Sequence, residues 1–170
     1  MTQLEIATEG HHKIAEFLEL CLPLHFASYR GDFDEVKQLT EKQYHDPLQK
    51  LFIDDNRTAL HCAADAGHLN VLKYFVERKF CNPVCADKNG ATPLHLAAGK
   101  GHLDIVKYLT QDKECYPVIK DVDGNTPLHY AARDCKGIRV LKFFVSDLKC
   151  NPNIQNNMSE TPICLSLIHI

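Results

Sequence analysis

A seven-residue pattern recurs along the chain at nearly constant spacing. It reads Thr-Pro-Leu-His-Leu-Ala-Ala at 92–98, and it returns with small changes at 58–64 and 126–132. Shortened versions begin at Leu22 and Thr161, so successive starts lie 36, 34, 34 and 35 residues apart. A period of this length predicts a stack of similar supersecondary units, each of which buries its apolar face against the next.

The third unit shows that each repeat is a pair of helices. Thr92 is predicted to cap the first helix, and Pro93 suits the first helical position because its missing N–H would have no partner there. The alanines at 97–98 are small enough for neighbouring helices to approach closely. Gly101 is predicted to end this helix, and the apolar stretch 103–109 predicts the second one.

Turn sequences separate the units. The Asn-Gly and Asp-Gly steps within 87–90 and 121–124 are strong signals for tight turns. Asn56 stands where glycine is expected and tolerates a left-handed conformation, whereas Ser159 at the same place leaves the last turn open. One extra residue displaces Gly137, so the turn between the two helices of the fourth unit is predicted to differ from the others.

These motifs resemble the ankyrin repeat over roughly residues 22–165. The resemblance implies an all-α solenoid of stacked antiparallel helix pairs joined by β-hairpin finger loops. Residues 1–21 echo half of a repeat and are expected to form a degenerate N-terminal capping helix. Repeats are expected near 22–53, 54–87, 88–121 and 122–156, followed by an incomplete repeat at 157–165.

The last residues, 165–170, have two interpretations. The codons CTG TCT CTT ATA CAC ATC would encode them, and this string resembles a transposase adaptor of sequencing libraries, which would make the tail non-native. Alternatively, Leu165 and Ser166 simply continue the repeat pattern. In both cases a solenoid that stops within a repeat lacks a terminal cap, so we expect the chain to be a fragment of a longer protein.

The composition excludes several classes of partner. The chain has 170 residues, which favours one domain, and a net charge of −3, which argues against nucleic acid. The most apolar early stretch, 14–24, contains Glu16 and Glu19, and no apolar run reaches the ~18 residues of a membrane span. We therefore expect a monomeric cytoplasmic protein that binds neither membrane nor nucleic acid.

The eight cysteines could indicate disulfides, but their spacing argues against this. Cys81, Cys115 and Cys150 occupy one repeat position, so stacking would hold them roughly 8–10 Å apart, beyond the ~7 Å that a disulfide spans between Cα atoms. Reduced thiols are expected instead. Cys81 and Cys85 form an isolated Cys-x3-Cys without zinc-ligand partners at the usual spacing, so no metal or cofactor is predicted.

Four histidines also recur, at His25, His61, His95 and His129. Zinc needs ligands about 2.0–2.3 Å away, whereas stacked histidines would lie roughly 8–10 Å apart, so a shared metal site is disfavoured. The resemblance implies that they are structural and hydrogen-bond the backbone near the adjoining turn. The sequence also contains no P-loop, Gly-x-Ser-x-Gly or His-Glu-x-x-His motif, and we therefore expect no catalytic residue and no enzyme.

One lysine per second helix forms a regular series along the chain. The series could be a basic strip for an acidic partner or membrane surface, but a solvated back face is the favoured interpretation. Its members are Lys37, Lys73, Lys107 and Lys142.

Positions that differ between repeats, at the finger tips and the ends of the first helices, are the candidate binding residues. The resemblance implies that such positions line a concave partner-binding face, although drift on an unused surface would look the same. Tyr130 and Arg133 are the strongest candidates, because aromatic residues and arginine are favoured at interface hot spots. With Asp54, Asp55 and Glu160, which also stand at such variable positions, this face has a slight acidic excess, which suggests a partner with basic character. The predicted binding residues are Arg57, Asp65, Lys88, Asn89, Lys100, Asp123, Asn125, Tyr130, Arg133 and Asp134.

The sequence thus predicts a non-catalytic protein–protein interaction module that binds a protein through its concave face and finger loops. The alternative is a regulatory or targeting segment of a larger signalling enzyme or channel whose catalytic domain lies elsewhere. A third, less favoured hypothesis is an independent metal-stabilised or thiol-reactive protein.

Overall fold

The computed structural model describes residues 23–41, 55–113, 115–133 and 135–162, with only the backbone of Cys135. The expected capping helix at 1–21 and the tail at 165–170 lie outside these ranges. Two second helices continue as π-helical turns, at Tyr108–Asp112 and Phe143–Asp147. The α-helices of the described ranges are α1 Pro23–Arg30, α2 Phe33–Glu41, α3 Ala59–Ala66, α4 Leu69–Arg78, α5 Pro93–Lys100, α6 Leu103–Lys107, α7 Pro127–Ala132 and α8 Ile138–Lys142.

The helices form four pairs that stack in one direction. The first helices α1, α3, α5 and α7 pack on one another in sequence, and each also packs on the second helix of its own pair. The second helices form a parallel outer row. Alanines that are 0% exposed, such as Ala64 and Ala98, lie within the row of first helices, where a side chain of one carbon lets the backbones come close. The predicted all-α solenoid is confirmed.

A single hydrophobic core runs through all four pairs, from Leu24 to Cys150. Its largest fully buried members include Phe75 and Phe144, which lie in equivalent places in the second and fourth pairs. The core is therefore divided among the interfaces between pairs, so each pair relies on its neighbours to bury its apolar surface.

The first helices begin and end as predicted. Thr58, Thr92 and Thr126 are the N-terminal caps, each in a capping box whose third helical residue is histidine instead of the usual glutamate or glutamine. Gly101 follows α5 with a left-handed φ of 79°, and Gly67 does the same after α3 with a φ of 87°. Glycine adopts this conformation without the Cβ clash that other residues suffer.

The fourth pair has the different turn that the displaced glycine predicted. A 3₁₀ turn, Cys135–Gly137, replaces the left-handed turn, and Gly137 has a φ of −76°. A Cβ on Gly137 would lie 1.9 Å from the carbonyl oxygen of Ala131. Glycine is therefore required here by close packing and not by its φ angle.

The finger loops are tight hairpin turns in which the described residues form no extended strand. The Asp87 N–H donates to the Ala91 carbonyl at 2.9 Å, and the Asp121 N–H donates to the Asn125 carbonyl at the same distance. Buried Asp87 also accepts the N–H groups of Asn89 and Ala91 through Oδ1, which fixes the turn from inside. The last finger keeps this form with Ser159 at a φ of 61°.

Neighbouring fingers are joined by backbone hydrogen bonds. The Lys88 N–H donates to the Asp55 carbonyl at 2.8 Å, and the Val122 N–H donates to the Asn89 carbonyl at 3.0 Å. The Asn157 N–H continues the series to the carbonyl of Asp123 at 2.9 Å. The finger tips therefore form a connected row along the solenoid.

Two glycine-to-alanine substitutions distinguish a glycine that close packing requires, Gly137, from a helical glycine that has room for a side chain, Gly99. Gly137→Ala is expected to destabilise the protein by about 1–3 kcal/mol, because the new Cβ overlaps the Ala131 carbonyl. Gly99→Ala places its Cβ at an ordinary 3.5 Å from Tyr130, so replacing a helical glycine should stabilise by up to about 1 kcal/mol. Urea unfolding followed by circular dichroism measures both, and equal midpoints for the two variants would refute the close approach.

Candidate functional site

Several predicted binding residues meet in one shallow depression of about 300 Å³ across three repeats. The depression lies along the row of first helices, and its floor includes Leu96 and Gly99 of α5. The predicted residues that line it are Arg57, Asp65, Lys100, Tyr130 and Arg133. The chain thus brings together residues that are separated by 76 positions between Arg57 and Arg133.

Tyr130 is held firmly at one side of the depression. Its hydroxyl donates to Oδ2 of Asp121 at 3.0 Å, and its ring packs edge-on against His95 with the ring centres 5.0 Å apart. Burial, reinforced by the Asp121 carboxylate, raises the pKa of Tyr130, so the hydroxyl stays protonated as a donor. The guanidinium carbon of Arg133 lies 5.3 Å from the centre of the same ring, within the range of a cation–π contact.

The cations of the depression differ in how far their charge is offset. Nε of Arg57 lies 3.6 Å from Oδ2 of Asp87, whose side chain is only 1% exposed. Lys100 and Arg133 are exposed, and neither forms an ion pair with another residue of the described ranges. Asp65 is half-buried and is the one acidic side chain among the described residues that line this depression.

Three other predicted residues lie at the finger tips. Lys88, Asn89 and Asp123 are exposed there, outside the depression. Lys88 forms an ion pair with Asp55, and its hydrogen bond holds the pKa of the Asp55 carboxyl below the usual value. These residues therefore extend the candidate surface along the fingers and do not belong to the depression itself.

Asn125 has a different environment from the one expected of a binding residue. It is 1% exposed, its amide donates to Oδ2 of Asp121 at 3.2 Å, and its side-chain oxygen accepts from Asn156 at 2.9 Å. The side chain therefore supports two finger loops and offers no surface to a partner. Asp134, also predicted, lies outside the described residues.

The recurring histidines link each repeat to the next finger loop. Nε2 lies 3.3 Å from the Ala91 carbonyl in His61 and 3.2 Å from the Asn125 carbonyl in His95. His129 repeats the contact with the Glu160 carbonyl at 3.2 Å. Because a carbonyl only accepts, Nε2 carries the proton, and Nδ1 accepts the N–H of the capping threonine at 3.1 Å in all three. His25 is also buried.

Burial keeps these imidazoles neutral. It lowers the pKa of His61 to about 4 and also lowers the pKa of His95 and of His129. Both ring nitrogens of each of the three are engaged in hydrogen bonds. No group of three or more His, Cys, Asp or Glu side chains within the described ranges has an arrangement that could hold a metal ion.

Sequence reasoning missed part of the floor of the depression. Gly99 occupies the same repeat position as Asp65 and Arg133. Because this position varies between repeats, the criterion that selected those two residues applies to Gly99 as well. Its lack of a side chain leaves the space that Tyr130 borders. Leu96 carried a weaker signal, since a leucine within a repeated motif resembles any core residue.

The sequence model of the family described as "Ankyrin repeats (3 copies)" matches residues 24–121 and again 81–156. This chain belongs to the ankyrin repeat family. Ankyrin repeats generally serve as protein-interaction modules. No helix in the described part of the chain is long and apolar enough to cross a membrane.

Curated relatives of this ankyrin repeat chain include the mitochondrial liver isoform of glutaminase from Rattus norvegicus and the same isoform from Mus musculus. Each is 38% identical over 65 residues, which is 38% of this chain and 10% of the relative. The chain therefore matches about a tenth of the length of these relatives.

The buried histidines predict a loss of stability in acid. Above the unfolded pKa of 6.5, His61 is neutral in both states; as the pH falls toward 4, only the unfolded state binds the proton, so unfolding is favoured. The maximum effect of His61 is about 3 kcal/mol. Urea unfolding of the native chain and of His61→Gln, at about pH 7 and about pH 4.5, should give a smaller loss for the variant.

Leu60→Ala is the matched control for this measurement, because it lowers stability from the same helix without removing a titrating group. Its pH dependence should equal that of the native chain. The same pH dependence in His61→Gln would contradict the assignment of a neutral buried ring.

The thiol of Cys115 should be inert in the folded protein. Cys115 is 4% exposed, and burial raises its pKa to about 11, so little thiolate forms near neutral pH. Labelling with iodoacetamide at about pH 8, read by peptide mass spectrometry, should be slow at Cys115 in buffer and fast in urea. Fast labelling of the folded chain would revive the hypothesis of a thiol-reactive protein.

Proposed function

We propose that this chain acts by binding a protein partner, without catalysis, through the depression formed by Arg57, Asp65, Lys100, Tyr130 and Arg133 and through the adjoining finger tips. The convergence of five predicted positions, from three successive repeats, in one depression carries the proposal. Their side chains vary from repeat to repeat, whereas the helix caps and core around them are regular.

The aromatic anchor of this surface is preorganised. Tyr130 is fixed by its hydrogen bond to Asp121 and by its packing on His95. Arg133 rests on the face of that ring. A partner that contacts this pair therefore orders few additional side-chain torsions, which removes part of the entropic cost of association. Tyrosine and arginine are also among the residues that most often dominate binding energy.

The absence of catalysis is part of the proposal and has its own support. The recurring histidines, which would be the first candidates for general bases, are neutral and bonded on both ring nitrogens. The buried thiol of Cys115 has a raised pKa, which disfavours a nucleophilic role. These groups stabilise the repeats instead. The buried thiols of Cys115 and Cys150, which form no disulfide with a described residue, also support a reducing compartment such as the cytoplasm.

Capture of partners from a lysate of the source cells tests the proposal. The native chain, a Tyr130→Ala/Arg133→Glu variant and Arg133→Glu alone are immobilised and compared by quantitative mass spectrometry. A specific partner should be lost by at least about tenfold from both variants, since removing a hot-spot residue costs about 1.4 kcal/mol or more. Arg133→Glu keeps the Tyr130–Asp121 hydrogen bond, so loss of the partner from this single variant cannot be attributed to the loss of that bond and unfolding of the chain.

The matched control is Tyr116→Ala/Lys107→Glu, which makes the same chemical changes at exposed residues outside the depression. This variant should capture the partner as well as the native chain does. Equal capture by all variants would place the binding surface elsewhere.

A second candidate function follows from the relatives. Because the two glutaminases match over only a tenth of their length, a segment of this kind also occurs within much longer proteins. The chain would then regulate or target a larger enzyme. Immunoblotting of source cells with an antibody against residues 88–121 distinguishes the two, since a band far above 19.3 kDa supports the second candidate.

A further inference from the structure

The depression continues into a second one along the same row of helices. The second has a volume of about 450 Å³ and shares Asp65 and Lys100 with the first. It adds the basic residue Lys136 and two imidazoles, those of His68 and His102. The two depressions therefore adjoin each other at Asp65 and Lys100, and we call the two together the shared groove.

Positive charge dominates the shared groove. Among the residues that the structure describes, its lining includes four cationic side chains, Arg57, Lys100, Arg133 and Lys136, and one carboxylate, that of Asp65. Two further carboxylates, those of Asp87 and Asp121, are buried beneath the surface and interact with groups of the chain itself. Asp87 neighbours Arg57 and binds its own finger loop, and Asp121 accepts from Tyr130 and Asn125.

We propose that the segment that occupies the shared groove is acidic, namely an extended stretch of a protein partner that places an Asp or Glu carboxylate against Lys100 and Arg133. This inference rests on the proposed function, since it assigns the chemistry of the partner at the same surface. It differs from the basic partner that the charge count of the sequence favoured.

The geometry of Arg133 favours a carboxylate in particular. Its guanidinium lies over the Tyr130 ring, with the guanidinium carbon 5.3 Å from the ring centre. A planar guanidinium offers its N–H donors in a fork that matches the two oxygens of a carboxylate. The ring and the apolar floor also reduce the exposure of such a pair to water, which strengthens it relative to a pair on an open surface.

Two of the acidic residues in the sequence count, Asp55 and Glu160, do not line the groove. Asp55 is paired with Lys88 at the finger tips, and Glu160 accepts from Asn156 within the last finger. The charge of Asp55 is thus offset within the chain by Lys88. The groove itself carries the opposite sign, and that sign determines which segment fits it.

Selection from a phage-displayed library of random peptides tests the inference without a known partner. Peptides selected on the native chain should be enriched in Asp and Glu. Selection on Lys100→Ala/Arg133→Ala should lose this enrichment, and Lys100→Glu/Arg133→Glu should enrich Lys and Arg instead. The control Lys107→Ala/Lys142→Ala removes two positive charges from exposed sites on the second helices and should behave like the native chain.

A fluorescein-labelled peptide from the native selection then gives affinities by fluorescence polarisation. The Lys100→Ala/Arg133→Ala variant should weaken binding by about tenfold or more, and a peptide with Gln in place of Glu should lose as much. Raising the salt concentration from about 50 mM to about 300 mM should also weaken the native complex, because screening reduces the attraction of the groove for the peptide.

The outcomes separate this inference from the proposed function. Enriched neutral or basic peptides whose binding is lost in Lys100→Ala/Arg133→Ala would overturn the acidic assignment while leaving the groove as the binding surface. Enriched peptides that bind this variant as tightly as the native chain would overturn both. Acidic peptides that bind the control Lys107→Ala/Lys142→Ala no better than they bind Lys100→Ala/Arg133→Ala would show nonspecific electrostatic attraction. That result would also overturn the inference.

Discussion

The structure depends on one repeated hydrogen-bonded link, from a buried imidazole to the carbonyl that ends the next finger loop. In His95 the ring donates through Nε2 to Asn125 and accepts the N–H of Thr92 through Nδ1. The first contact fixes the position of the following repeat, and the second fixes the start of the helix that carries the ring. A rigid neutral ring with one donor and one acceptor satisfies both at once. No isolated repeat can complete this link, so helix formation and stacking are coupled.

The candidate binding surface inherits this coupling. Arg57, Lys100 and Arg133 belong to three successive repeats and meet only when those repeats are stacked. His95, which joins two of the repeats, also packs against the ring of Tyr130. The same imidazole therefore supports the fold on one side and the binding residue on the other. Damage to the stacking would disperse the surface before any of its own side chains changed.

Much of this architecture was predictable because it follows from local rules that repeat. The threonine caps, the left-handed Gly101 and the altered turn at Gly137 each follow from the residue and its place in the period. The sign of the groove was not predictable in this way. A count of charges cannot tell that Asp87 and Asp121 are buried beneath the surface or that Asp55 pairs with Lys88. Asn125 varies like a binding residue, yet it is buried because its amide bridges two finger loops.

The row of finger tips has a mechanical consequence. Adjacent residues of a finger bond in opposite directions, as Lys88 does toward Asp55 and Asn89 toward Val122. Each junction between fingers therefore holds one backbone bond of this series, and tension along the solenoid would act on all of these junctions in series. A chain of this kind lengthens in steps, with the weakest junction opening first while the remaining repeats stay intact.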